Sequence, residues 1–154
     1  MNLSENFTLE EFVRSQTAAR RNIDNTPLQN HIDNAVALAQ NVLQPLRNAL
    51  GPVIVTSGYR SETLNAAVGG SPRSQHRFGE AADIAINGVP TPDVCKWIIN
   101  NVTFDQIILE FYEPGNINSG WTHVSYTSRG SNRKEVLTAA RVNGVVEYSY
   151  GLNY

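Results

Sequence analysis

Along the first fifty residues, apolar positions return every three or four places. Ile32, Ala35, Val36, Ala39, Val42, Leu43, Leu46 and Leu50 form one stripe with the spacing of a single helical face. Ahead of it, Thr26-Pro27 with Gln29 reads as an N-cap, a proline at the first helical position and a capping-box partner; Gly51-Pro52 ends the run. Pro45 lies inside this helix, where its missing N–H and crowding ring predict a kink. A shorter helix opens at Thr8, whose capping box with Glu11 is joined by a Phe7–Phe12 staple, and it is expected to end near Ser15.

From residue 53 the period changes. Short runs rich in β-branched and aromatic residues predict strands at 53–56, 82–86, 104–112 and 121–126, with one helix among them opened by Thr91-Pro92. Two further strands, 135–142 and 145–150, flank an Asn143-Gly144 pair suited to a type I′ turn. Helices first and hairpin-linked strands afterwards predict an α+β fold, with N-terminal helices packed on a central antiparallel sheet. The chain has 154 residues with neither repeat nor linker, so residues 1–154 read as one domain.

Composition removes several classes of function. Hydrophobic residues at 41% against 17% charged are ordinary for a globular chain and exclude disorder. Twelve Lys+Arg against fourteen Asp+Glu leave a net charge of −2 without a basic stripe, so no nucleic acid partner is expected. No apolar run approaches the roughly 18 residues of a membrane span, so no membrane partner is expected either. Residues 1–7 lack the basic start and apolar stretch of a signal peptide, which predicts cytoplasmic synthesis. Cys95 is the single cysteine; it cannot close a disulfide within the chain and reads as a buried filler. His31, in the long helix, reads as a packing or solvated histidine.

No Walker loop, GxGxxG, GxSxG or HExxH motif occurs. The remaining chemistry gathers at three places. His76 sits in a Gly/Ser-rich loop, Asp83 stands among Ala and Ile in a predicted strand, and His123 lies in Trp121-Thr122-His123-Val124-Ser125. Alternation puts Trp121, His123 and Ser125 on one face of that strand. A carboxylate inside an apolar strand is costly unless it is paired or binds a metal. By themselves these residues fit either a zinc site with a fourth position open to water, or a loop histidine, a core histidine and a turn-capping aspartate.

Ser57-Gly58-Tyr59-Arg60-Ser61, Leu64-Asn65, Gly69-Gly70-Ser71, Ser74-Gln75-His76, Gly79, Ala81, Asp83 and Trp121-Thr122-His123-Val124-Ser125 stand in one order. Over roughly residues 5 to 135 that order resembles the D-alanyl-D-alanine carboxypeptidase family of zinc peptidases. Within it, the chain is most similar to the short single-domain branch common in phage genomes. The resemblance implies a hedgehog/D-Ala-D-Ala peptidase-like fold and one Zn²⁺ per chain on His76, Asp83 and His123. It also implies that Arg60 holds the substrate's carboxylate. The implied activity is hydrolysis of peptidoglycan stem peptides at or near D-Ala, as a carboxypeptidase or endopeptidase. The implied setting is a monomeric, phage-type lysis enzyme released onto the host wall by a separate factor.

Many members of that family carry a glutamate three residues before the last histidine, where this chain has Gly120. Glu110, at the end of an apolar strand, is the expected general base and Glu113 the second choice. Ser74 and Trp121 are expected to contact substrate. The Gly120 departure leaves room for a different class, a non-catalytic zinc-binding recognition or assembly module of the same fold.

Overall fold

The first helix begins as its sequence requires. Thr8 Oγ1 accepts from Glu11 N at 3.2 Å and Glu11 Oε1 accepts from Thr8 N at 3.2 Å, closing the capping box. Phe7 and Phe12 are both buried. The structure, a computed structural model, describes residues 1–154. In chain order it contains β1 (Asn2–Ser4), β2 (Phe7–Thr8), α1 (Leu9–Val13), α2 (Gln16–Arg21) and α3 (Gln29–Leu38). A π-helical turn, Ala39–Leu43, leads directly into α4 (Gln44–Leu50). There follow β3 (Ile54–Ser57), α5 (Glu62–Ala67), a 3₁₀ turn (Gln75–Phe78), β4 (Ala81–Ala85) and α6 (Thr91–Asn101). β5 (Gln106–Glu110), β6 (Trp121–Ser125), β7 (Glu135–Val142) and β8 (Val145–Tyr150) complete it. No helix is long and apolar enough to cross a membrane.

Two helical expectations change in detail. The long helix starts at Gln29, not at Pro27, because Thr26 gives both its N–H and its hydroxyl to Asp24 in a local turn. The disturbance expected at Pro45 takes the form of the π-turn, in which Gln44 N reaches back to Ala39 O. That extra residue in the turn accommodates the ring and the missing donor. The short strands β1 and β2 and the helices α2 and α5 are additions to the predicted set; each is six residues or fewer, below the length at which periodicity is legible.

The main sheet has six strands in the order β3-β4-β6-β5-β7-β8. It is mixed, not wholly antiparallel: β5 and β7 run parallel, with Gln106 opposite Glu135 and Glu110 opposite Ala139. After β6 the chain passes the starting end of β5, where Lys134 N donates to Phe104 O, and enters β7 on the far side of β5, running opposite to β6 and so parallel to β5. Residues 126–134 carry that crossover, and two buried acids hold it. Asp105 accepts from Arg133 N at 2.9 Å and from Arg133 Nη2 at 2.9 Å. Glu80, fully buried, accepts from Arg129 Nη2 at 2.6 Å and from Thr127 Oγ1 at 2.8 Å. The β7–β8 hairpin turns at Asn143 and Gly144 with φ of +53° and +79°, as the expected turn type demands.

Alternation divides the sheet into two faces. Ala82, Ile84, Ile107, Leu109 and Val124 point to one side and join Leu38, Leu43 and Leu46 of the long helix and Ile98 of α6 in a core of 20 buried residues. Cys95 lies in that core, its thiol pushed up to about 11 by burial, which keeps it an inert filler. Asp83, His123, Trp121 and Glu110 alternate to the opposite face.

The Asp105–Arg133 clasp should show in the pH dependence of stability. Burial by itself would raise the Asp105 pKa, but Arg133's hydrogen bonds and charge outweigh it and hold the carboxyl below its ordinary value. A depressed folded pKa adds stability above the unfolded value of about 3.9 and loses it as pH falls through the folded value. Asp105→Asn should therefore lower the thermal midpoint at pH 7, with the gap to the parent protein closing as pH drops below about 4. A gap unchanged between pH 7 and pH 3 would contradict this account.

Candidate metal centre and cleft

Register assembles the site. In the antiparallel β4–β6 pair Asp83 lies directly opposite His123, and in β5–β6 His123 lies opposite Ile108 and Trp121 opposite Glu110. Directly opposed residues share a face, so Asp83, His123, Trp121 and Glu110 project to the side away from the core. His76 reaches the same place from the 3₁₀ turn. Ser74 Oγ caps that turn, accepting from His76 N at 3.2 Å, and Gly79 closes it in the left-handed region at φ +74°.

The three residues converge closely enough to share an ion. One nitrogen of each histidine and one carboxylate oxygen all lie within 4.8 Å of one another. His123 Nδ1 is 3.1 Å and His76 Nε2 3.4 Å from Asp83 Oδ1. Donors about 2.1 Å from a tetrahedral zinc stand roughly 3.4 Å apart, so the donor set and its spacing fit that metal. His76 Nδ1–H donates to Gly58 O at 2.7 Å, which leaves the Nε2 lone pair facing Asp83. Burial holds the His76 pKa below its ordinary value and so keeps the ring neutral, as a ligand requires. Burial also acts to raise the Asp83 pKa, but His76 and His123 together outweigh it and hold that carboxyl well below the usual range. Gly58 has no room for a side chain: a Cβ there would meet Phe12 O and come within 2.7 Å of the Phe12 ring.

Arg60 lies beside this cluster. Its Nη2 is 3.6 Å from Asp83 Oδ2, its Nε donates to Ser57 Oγ at 3.2 Å and its Nη1 to Asn65 Oδ1 at 3.2 Å. Buried Asn65 is anchored in turn by donating to Ser71 O at 2.8 Å. Guanidinium has five N–H groups, and hydrogen bonds use only those on Nε and one on Nη1, leaving one on Nη1 and the Nη2 pair that faces Asp83. Gly70 passes so close to Asn65 and Arg60 that a Cβ would collide with the Asn65 side chain.

These groups line an open cleft of about 740 Å³. Glu110 lines it, and its pKa is raised to about 7, first by burial and then by the Asp83 carboxylate. A bound cation would favour the carboxylate and bring that value down again. Glu113 does not line the cleft; it is exposed in the 111–120 loop, its N–H donating to Ser119 Oγ. Trp121 both lines the cleft and packs on Phe111 at 5.4 Å. Ser74 lines the cleft too; its oxygen accepts in the cap, which leaves its O–H free to donate. His31 stands apart, stacked on Tyr59 at 5.1 Å. Sequence reasoning missed Phe111, Arg141 and Tyr148, which form the far wall. The two hairpin residues become cleft residues only through the parallel β5–β7 pairing.

The peptidase M15 family profile matches residues 5–125, most of the chain. The chain belongs to the peptidase M15 family. Over 44 residues it is 48% identical to the zinc D-Ala-D-Ala carboxypeptidase of Streptomyces albus G, a match covering 27% of this chain and 17% of that protein. The chain thus spans only a small part of that M15 relative's length.

The family glutamate expected three residues before His123 has no place in this backbone. Gly120 sits at φ +65°, and a Cβ there would collide with Glu110 O and come within 2.8 Å of the backbone of Phe111 and Tyr112. Gly120→Glu should therefore lose on the order of 3 kcal/mol or more in denaturant unfolding, since both strain and backbone overlap oppose it. A variant as stable as the parent would refute that reading of the loop.

Proposed function

We propose that this M15 family member is a zinc metallopeptidase that hydrolyses bacterial wall peptides at or near D-Ala, with Glu110 as general base and Arg60 as carboxylate clamp. The observation that carries the reading is the convergence, on one open face of the sheet, of a His-Asp-His donor set, an arginine with spare N–H groups and the half-buried Glu110 carboxylate. His76, Asp83 and His123 would hold one Zn²⁺, and the bound ion would supply Lewis-acid chemistry, polarising a carbonyl and easing ionisation of water. The fold proposed with it is the hedgehog/D-Ala-D-Ala peptidase-like one, acting as a monomer.

Each residue then has a stated task. Arg60 offers its remaining Nη1 and Nη2 hydrogens to a substrate carboxylate, fixing the peptide terminus beside Asp83. Glu110 accepts a proton from the attacking water on a carboxylate oxygen and delivers it to the leaving amine. Burial raises its affinity for a proton, and a bound cation would pull it back toward the carboxylate, the form that takes the first proton. Trp121 covers one side of Glu110 and restricts water there. Glu110 also supplies the carboxylate that Gly120 lacks, which favours an enzyme over the recognition module. Lysis of whole walls, as in a phage-type enzyme, belongs to the same proposal.

The test pairs metal content with product masses. Protein purified with zinc should hold about one ion per chain and release D-Ala from soluble muropeptides, or else split cross-linked dimers, the product masses telling the two apart. Glu110→Gln should retain the ion and lose on the order of 10²-fold or more in kcat. Asp83→Ala should lose the ion itself. Zinc uptake with no cleavage of any wall peptide would leave the recognition module as the answer, and no zinc uptake would refute the site.

A further inference from the structure

The cleft does not end at Glu110. Register carries its floor across the sheet: Trp121 opposes Glu110, Glu110 opposes Ala139, and Ala139 opposes Tyr148. Those three inter-strand steps of about 4.8 Å place Tyr148 roughly 14 Å from the Trp121 strand, close to the reach of four extended peptide residues. Arg60 lies on the opposite side of the His-Asp-His cluster, next to β3 and β4. A peptide whose carboxylate rests on Arg60 would therefore run its N-terminal side toward the β7–β8 hairpin.

Arg141 waits at that end. It lines the cleft, and no carboxylate lies within 4.0 Å of it, whereas Arg60 faces Asp83 and Arg133 is bound by Asp105. Its guanidinium rests over the Phe111 ring at 5.1 Å from the centroid, and that ring packs on Trp121. Phe111 holds this place at φ +56°, a left-handed conformation that costs a bulky residue on the order of 1 kcal/mol or more. The strain turns the ring outward from the end of β5 to bridge Trp121 and Arg141. Arg73, also in the cleft without a carboxylate partner, has no such aromatic seat and belongs to the exposed Gly/Ser loop. The hairpin lies outside residues 5–125, so the family match assigns it no role.

We propose that the β7–β8 hairpin forms a substrate subsite in which Arg141, seated on Phe111 and flanked by Tyr148, binds an acidic residue of the peptide two to four residues N-terminal to the scissile bond. The proposal rests on the cleft reading above. An exposed but preoriented guanidinium should discriminate carboxylate from amide by about tenfold.

The probes are synthetic peptides ending in D-Ala-D-Ala that carry Glu or Gln at each of those positions. With zinc-loaded protein, kcat/KM should favour the Glu peptide about tenfold at one position. Arg141→Ala should reduce that ratio to near one, Arg141→Lys should keep part of it, and Arg73→Ala should keep all of it. The same ratio should appear in peptide binding to zinc-loaded Glu110→Gln protein, read by tryptophan fluorescence. Equal binding of the Glu and Gln peptides, or a preference that survives Arg141→Ala or vanishes with Arg73→Ala, would overturn the subsite. Failure to cleave any peptide while the Arg141-dependent binding preference persists would refute the peptidase proposal and leave the subsite standing.

Discussion

Asp83 and His123 face each other across an antiparallel pair, and the rest of the site depends on that register. Side chains in a strand alternate with a period of two, so a slip of one residue would send Asp83 and His123 into the core and Ile84 and Val124 into the cleft. The apolar residues on the core side fix the register, because Ala82, Ile84 and Val124 are fully buried against the helices. Burial of the core thus indirectly positions the polar cluster on the other face. His76, supplied from a turn and not from the sheet, is held in the same frame by the Gly58 carbonyl, which lies at the end of β3 beside Arg60.

Packing has removed alternatives at the glycines near the site. Gly58, Gly70 and Gly120 each lie where a Cβ would strike a neighbour, and the neighbours are Phe12, the Asn65–Arg60 pair and the β5 terminus. These close approaches bring the arginine, the histidine loop and the Glu110 strand end near the same centre. At Gly120 the result is a different solution for the carboxylate: the backbone that excludes a side chain there belongs to residues 110–112, and Glu110 itself faces the cleft.

Charge is organised in two layers. Near the donors, Asp83 is held ionised and His76 neutral, the states in which both groups coordinate cations. Farther out, Glu80 and Asp105 are buried and paired with Arg129 and Arg133, where they hold the crossover that carries the chain from β6 to β7. Without that crossover the hairpin would have no reason to lie beside β5, and Arg141 and Tyr148 would not reach the cleft.

The sequence by itself determined what local rules control. The Thr8–Glu11 capping box, the apolar stripe of the long helix, the alternating strands and the Asn143-Gly144 turn depend on neighbours a few residues away. His76, Asp83 and His123 each stood out locally, but their residues alone fitted structural roles as well, and it was the family resemblance that joined them as a ligand set and directed attention to Glu110 once Gly120 held no carboxylate. Only the tertiary structure decided the rest. Parallel pairing of β5 with β7, the carbonyl that fixes His76, the loop that leaves no room at Gly120 and the passage of Arg141 and Tyr148 into the cleft all join residues distant in the chain. Their energies come from contacts that no local window contains, so pattern and propensity carry no trace of them.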